Sequence, residues 1–181
     1  LLGRRNDPFS RVKRWLAGPY EHVFMYMGRL SLLREGHSSE LWNVPLLFES
    51  NGRGVVLQSL SNRYDQEVVV MRLLPAYRER IPQVLDEAIK LASDSQSYYD
   101  YLCIVRFAIP RLIFEKLGLP MPLKYHRDPW HICSEAVNEV FIRGGIPDLL
   151  FLEDVPLPSD FVTDSLLSEK VWAGSLSEEL V

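Results

Sequence analysis

The hydrophobic pattern of this chain changes character once, and that change limits the fold to one class. From residue 20 to residue 73, short runs of β-branched and aromatic residues alternate with turn residues, which is typical of strands. From residue 78 to residue 143, apolar residues recur every three or four positions, which is typical of helices. The pattern therefore predicts an α+β fold, a small antiparallel sheet with helices on one side.

Four strands are predicted in the first half, over residues 20–28, 44–50, 55–60 and 67–73. The first has β-forming residues on both faces, as a central strand does, and it places His22 near its beginning. Asn51-Gly52, followed by Arg53-Gly54, is a hairpin signal between the second and third strands. We therefore expect a compact antiparallel meander.

Helices are predicted over residues 10–17, 78–92 and 98–117, and from Cys133 to Arg143. Pro110 should interrupt the third helix, because proline lacks a backbone N–H and its ring clashes with the preceding turn. A short helical turn near Asp160 and an edge strand near residues 170–172 complete the pattern.

Length and composition are those of an ordinary globular chain. At 181 residues, with 47% hydrophobic and 24% charged residues, one domain over 1–181 is expected. A net charge of −4 and a pI near 5.6 give no electrostatic basis for binding nucleic acid. No apolar run approaches the roughly 18 residues that span a bilayer. The first residue is Leu rather than Met, so we expect a truncated N-terminus, and the sequence assigns no compartment.

The segment around Cys133 is the first candidate for chemistry. Ala136, Val137, Val140 and Phe141 recur at helical spacing, so Cys133 falls in the first turn of a helix. Unpaired N–H groups and the positive end of the helix dipole stabilise a thiolate there, and a backbone N–H can donate to an oxyanion. Cysteine is also often a small apolar residue packed at a helix end, and the segment alone leaves both interpretations open.

A catalytic thiol needs a base and a third group that orients the base. His22, on a central strand, is the best placed of the four histidines because a rigid element holds a base accurately. Glu49 is the only carboxylate in the apolar run of the second strand, where a lone acid must be paired or must face solvent. If the first two strands pair antiparallel, Glu49 approaches His22, which gives a Cys133–His22–Glu49 constellation.

Two other roles for the cysteines and histidines are open. His126, His131 and Cys133 lie close enough in sequence for a metal site, but their spacing matches no common zinc pattern, so no metal is predicted. Cys103 lies among apolar residues of a helix and should be buried and inert. One disulfide is possible, but two cysteines make no disulfide framework.

Several short blocks of the sequence resemble circularly permuted papain-like enzymes, the branch of the NlpC-type superfamily that includes YiiX-like and lecithin:retinol acyltransferase-like proteins. The blocks are Trp130-His131-Ile132-Cys133-Ser134-Glu135-Ala136-Val137, Pro19-Tyr20-Glu21-His22-Val23, Phe48-Glu49-Ser50 with Gly54-Val55-Val56-Leu57, and Leu157-Pro158-Ser159-Asp160-Phe161. They occur in the order of that branch, in which the histidine strand precedes the cysteine helix, and they span nearly the whole chain.

The resemblance implies a barrel-like antiparallel sheet with the cysteine helix packed against it. It implies a cysteine hydrolase or acyltransferase that cleaves an amide or ester through an acyl-enzyme, without a cofactor. Cys133 would be the nucleophile, His22 the base and Glu49 the orienting acid, with Tyr20 donating to the oxyanion. Glu21 replaces the serine that is common in this branch, Leu157 replaces a threonine, and the strand that opens the domain is absent.

Two questions stay open from the sequence. The chain can be an active enzyme or a catalytically silent papain-like binding or structural module. The substrate can be a small peptide, an acyl-amide or a lipid-like molecule, since the family spans cell-wall peptides and acyl lipids. Apolar residues of the 98–117 helix would favour an acyl substrate if they line the Cys133 cleft, and otherwise they belong to the core.

Overall fold

Two small antiparallel sheets and a set of helices make up the α+β fold of the computed structural model, which describes residues 2–4, 20–29, 44–94, 100–120, 131–150 and 155–180. The strands are β1 Leu2–Arg4, β2 His22–Val23, β3 Met25–Arg29, β4 Pro45–Asn51, β5 Gly54–Ser59, β6 Glu67–Leu73 and β7 Ser168–Ser175. The helices are α1 Ile81–Ser93, α2 Tyr101–Cys103, α3 Ile109–Leu117, α4 Cys133–Arg143 and α5 Asp160–Thr163. The predicted helix over 10–17 lies outside the described residues, and the single domain over 1–181 stays a prediction.

The strand order is β2-β1-β6-β7 in one sheet and β3-β4-β5 in the other. Only Phe24 separates β2 from β3, so one stretch of chain contributes to both sheets. The predicted four-strand meander is wrong at its last step, because β6 pairs with β1 and β7 and not with β5. β6 is buried on both faces, with Val69 in the main core cluster and Val68 in a second cluster, which accounts for its almost continuously apolar run.

The hairpin between β4 and β5 is the one predicted from the turn residues. Asn51 pairs with Gly54 across the turn formed by Gly52 and Arg53. β3 and β4 also pair antiparallel, with Met25 opposite Phe48. This confirms the strand pairing on which the approach of Glu49 to His22 depended.

The predicted helix from Cys133 to Arg143 is confirmed as α4. Its inner face, which includes Ala136, Val137 and Val140, is buried in the main core cluster against β2, β4 and α1. The helix ends at Gly144, where a Cβ atom would lie 2.9 Å from the Cα of Val84. Glycine is therefore required at that position for α1 to approach α4 this closely.

The predicted 98–117 helix is confirmed over its described part, and Pro110 interrupts it as expected. A wide π-helical turn, Ile104–Ala108, joins α2 to α3 immediately before the proline. Such a turn accommodates the N–H that proline lacks and moves its ring away from the preceding carbonyl. Within the described residues, no helix combines the length and apolar character needed to cross a bilayer.

Candidate active site

His22 and Glu49 meet at the junction of the two sheets. The Nε2 atom of His22 lies 3.0 Å from Oε2 of Glu49, so the ring donates to the carboxylate. The hydrogen bond fixes one ring nitrogen and leaves the other for a second partner. A carboxylate in this position holds an imidazole in one orientation and stabilises its protonated form.

Glu49 is fully buried, yet its two oxygens accept hydrogen bonds from four side chains. Oε1 accepts from Asn51 at 2.9 Å and from Gln58 at 2.6 Å. Oε2 accepts from His22 and from two N–H groups of Arg63. Burial raises the pKa of Glu49, but these partners, His22 first, outweigh it and lower the pKa to about 2. The carboxylate is therefore ionised throughout the physiological range.

Cys133 is the first residue of α4 and lies beside the free side of the His22 ring. Burial raises the pKa of its thiol, but the charge and hydrogen bond of His22 outweigh this. The backbone N–H groups of Val23 and Ser134 also donate to the sulfur, and together these groups hold the pKa below its ordinary value. A thiolate is thus stabilised where the helix dipole favours negative charge.

The pKa of the His22 imidazole is shifted in the opposite direction to the pKa of the Cys133 thiol. Burial lowers the pKa of His22, but the charge and hydrogen bond of the Cys133 thiolate, followed by those of Glu49, raise it to about 9. A lowered thiol pKa beside a raised imidazole pKa means that a thiolate–imidazolium pair predominates between the two values. The side chain of His22 is 18% exposed whereas Cys133 is buried, so solvent reaches the pair from the side of the imidazole.

Hydrogen bonds from neighbouring elements fix the start of α4. The hydroxyl of Ser50, next to Glu49 on β4, donates to the carbonyl of His131 at 2.7 Å. The hydroxyl of Ser134 donates to the carbonyl of Pro156 at 2.6 Å. These bonds hold the chain on both sides of Cys133, and β4 therefore orients the base through Glu49 and anchors the nucleophile segment through Ser50.

A buried carboxyl caps the same helix. Glu135 accepts from the backbone N–H of Ile132 at 2.8 Å, and the Cys103 thiol lies 3.8 Å from its other oxygen. Burial raises the pKa of Glu135 to about 7 despite the hydrogen bond from Ile132. Both cysteines are free thiols, and Cys103 is buried as predicted.

An ion pair stabilises the segment around Pro156, whose carbonyl accepts the hydrogen bond from Ser134. Arg111 of α3 donates to Asp160 of α5 at 2.8 Å, and it also donates to the carbonyl of Val155. Asp160 accepts in addition from the N–H of Leu157 at 2.8 Å. Both charged side chains are buried, so the pair ties α3 to the chain behind the nucleophile.

The structure thus brings together Cys133, His22 and Glu49, the three residues proposed from the sequence. Tyr20 is half-buried against the main core cluster, and its role as an oxyanion donor stays a prediction. His126 and His37 lie outside the described residues. Among the residues that are described, no three histidine, cysteine or acidic side chains are grouped to hold a metal ion.

Sequence reasoning missed Arg63, which has the most direct contact with the predicted triad. It lies in a short helical turn, Leu60–Arg63, and its guanidinium also packs 5.5 Å from the ring centroid of Phe24. A signal for it existed, because a buried carboxylate such as Glu49 requires a cation or several donors. Which of the chain's arginines supplies that cation depends on tertiary structure.

Comparison with known proteins adds no family assignment. A scan against protein-family models finds no match to this chain, and a search of curated proteins finds no significant match. The geometry of the site and the sequence blocks quoted above are the basis for assigning a function.

Proposed function

We propose that the protein is a cysteine hydrolase or acyltransferase that acts on an amide or ester carbonyl. Cys133 is the nucleophile, His22 the general acid and base, and Glu49 the group that orients His22. One observation carries the proposal: a single imidazole contacts both a buried, ionised carboxylate and a cysteine at the first turn of a helix. A structural core cysteine needs neither partner.

The chemistry follows from these contacts. The Cys133 thiolate attacks the carbonyl carbon, and the carbonyl oxygen takes up the negative charge of the tetrahedral intermediate. The imidazolium of His22 gives its proton to the leaving amine or alcohol as the bond to carbon breaks, which leaves a thioester on Cys133. Neutral His22 then removes a proton from water or from a second acceptor, whose oxygen or nitrogen attacks the thioester and releases the thiolate.

The oxyanion requires donors on the side of the scissile carbonyl. First-turn N–H groups of a helix lack partners within the helix, and the N–H of Cys133 is one of them. Ile132 N–H is already occupied by Glu135, so it is unavailable for this role. Tyr20, two residues before His22, is the proposed second donor through its hydroxyl.

The fold agrees with the proposal at the level of topology. In the permuted papain-like arrangement, a histidine strand and an acid strand precede the cysteine helix, which packs on the sheet. Here β2, β4 and α4 follow in that order, and α4 packs against both strands. We therefore propose a permuted papain-like domain, with the departures at Glu21 and Leu157 affecting substrate choice rather than the nucleophile.

The apolar 98–117 helix does not decide the substrate. Among its described residues, Cys103, Ala108 and Leu112 form a small core cluster with Ile132. Tyr98 and Tyr99 lie outside the described residues. These residues belong to the core, so the described part of the helix gives no support for an acyl substrate.

An acyl-enzyme is the expected result of mixing the protein with activated esters and peptides. p-Nitrophenyl esters of rising chain length and γ-glutamyl and muramyl-type peptides, at equal concentration, should include a substrate that gives a burst of product. Mass spectrometry should find the acyl group on the peptide that contains Cys133. A kcat/KM that rises with chain length, by up to about 0.8 kcal/mol per methylene, would assign an acyl substrate. Absence of both burst and adduct across the panel would favour the silent module.

A further inference from the structure

One oxygen atom of Glu49 is shared by two cationic side chains. Oε2 lies 3.0 Å from Nε2 of His22, and it also accepts from Nε of Arg63 at 3.0 Å and from Nη2 of Arg63 at 2.5 Å. Oε1 accepts instead from the uncharged amides of Asn51 and Gln58. Because a carboxylate oxygen has two lone pairs, the imidazole and the guanidinium compete for the same atom and for the same negative charge.

The position of Arg63 is fixed by its own element and by an aromatic ring. Arg63 ends the helical turn Leu60–Arg63, which the hydroxyl of Ser59 caps. Its guanidinium packs 5.5 Å from the ring centroid of Phe24, and the ring of His22 lies 5.9 Å from that centroid. The side chain of Arg63 is 19% exposed, so solvent and salt screen its charge only in part.

The charged groups of the site alternate in sign along a chain of contacts. Cys133 faces His22 from α4, Glu49 faces it from β4, and Arg63 follows behind Glu49. On β1, the residue opposite His22 is Gly3, which carries no charge. Arg63 brings the sum of these charges to zero, whether the proton lies on the sulfur or on the imidazole. Without Arg63, an unbalanced negative charge would remain buried beside the imidazolium.

We infer, on the basis of the proposed function, that Arg63 is a positioning residue that limits how strongly Glu49 stabilises the imidazolium of His22. The guanidinium takes up part of the negative charge of Oε2, while the carboxylate still orients the ring. An imidazolium that is stabilised by a full carboxylate charge is a weaker acid. It would give the proton on its other ring nitrogen less readily to a leaving amine or alcohol. Arg63 thus acts on the reaction through Glu49 and His22.

Arg63→Gln and Arg63→Met test this role without a substrate, since both remove the charge and the first keeps a hydrogen-bond donor. Glu49 keeps its donors from His22 and from two amides, so it stays ionised. The midpoint of the His22 ring protons in an NMR titration should rise by about one pH unit or more in both variants. The midpoint of Cys133 alkylation by iodoacetamide should rise by less, because Cys133 is further from Arg63. Arg63→Lys keeps the charge and should return both midpoints toward the wild-type values.

Arg143→Gln is the matched control, because it removes the same charge from an exposed pair at the far end of α4 and should leave both midpoints unchanged. Near-UV circular dichroism verifies that each variant is folded. If Arg63 only held Glu49 in place, its loss would release His22, and the His22 midpoint would then fall while the Cys133 midpoint rose. That result, unchanged midpoints, or a failure of Arg63→Lys to restore them would overturn the inference.

A change of leaving group separates the role of Arg63 from the proposed function itself. The acyl group that the substrate panel selects is presented as its p-nitrophenyl ester and as its methyl ester. In Arg63→Gln, kcat/KM for the methyl ester should fall at least about threefold more, because methoxide needs a proton to leave and p-nitrophenolate does not. An equal fall for both esters would overturn the role of Arg63. If no substrate is found, the proposed function fails, and the two midpoints still decide whether Arg63 limits the effect of Glu49 on His22.

Discussion

Replacing Cys133 by alanine should abolish turnover, with a loss of kcat on the order of 10⁴-fold or more, because no other group can form the acyl-enzyme. Stability should change little, since one small side chain replaces another at a 7% exposed position. The assay is steady-state hydrolysis of the best substrate from the ester and peptide panel. The matched control is Cys103→Ser, which changes the other free thiol and keeps a hydroxyl donor toward Glu135.

The same variant has a consequence that does not depend on a substrate. The Cys133 thiolate is the main group that raises the pKa of His22 to about 9 against the effect of burial. Without the thiolate, the pKa of His22 should fall, which NMR titration of the ring protons would measure. Activity in Cys133→Ala equal to that of Cys103→Ser, with His22 titrating as in the wild type, would contradict the assignment.

Arg111→Met should lower the free energy of unfolding by about 3–5 kcal/mol, the usual cost of removing one partner of a buried ion pair. The variant leaves the buried carboxylate of Asp160 with the N–H of Leu157 but without its cation. Urea unfolding at neutral pH measures the loss. Arg143→Met is the control, since its exposed pair with Glu139 within α4 is worth less than about 1 kcal/mol.

The loss in free energy of unfolding caused by Arg111→Met should become smaller as the pH falls. Burial raises the pKa of Asp160 even in the wild type, and the charge of Arg111 opposes that rise. Without Arg111 the folded-state pKa lies still higher above the unfolded value, so the folded variant gains stability as the carboxyl binds a proton at lower pH. If Arg111→Met and Arg143→Met lost the same free energy of unfolding, the ion pair of Arg111 with Asp160 would not stabilise the fold. A loss in Arg111→Met that does not vary with pH would show the same.

The sequence predicted the elements of the site because each depends on local signals. The helical spacing after Cys133, with Gly144-Gly145 beyond it, predicted α4 from Cys133 to Arg143. The hairpin signal at Asn51-Gly52 set the register of β4 against β5, and the antiparallel pairing of β4 with β3 brought Glu49 toward His22. Local patterns of this kind are sufficient to predict a helix or strand when its own residues show the side-chain periodicity of that element.

The parts that the sequence did not predict depend on contacts distant in the chain. β1 has only three residues, Leu2–Arg4, and no strand signal of its own; it forms because β2 and β6 flank it. The partner of β6 was assigned wrongly for the same reason. On α1, Ile81 and Ile89 are exposed and Val84 and Leu91 are buried, and the buried face carries Val84, against which Gly144 lies.

The most direct test of the central claim is the pH dependence of Cys133 alkylation in wild type and in His22→Ala. Iodoacetamide labelling, followed at each thiol by mass spectrometry, gives the midpoint of the rate against pH. The midpoint should lie well below the ordinary cysteine value of about 8.5 in the wild type. In His22→Ala it should move upward, because burial then acts on the thiol without an imidazolium partner. Cys103 should react sluggishly in both proteins. Because both midpoints are measured at the same thiol, differences in access between the two cysteines do not affect the comparison. An unchanged Cys133 midpoint in His22→Ala would contradict the thiolate–imidazolium pair. Equally slow alkylation of Cys133 and Cys103 at pH 6.5 would contradict it as well.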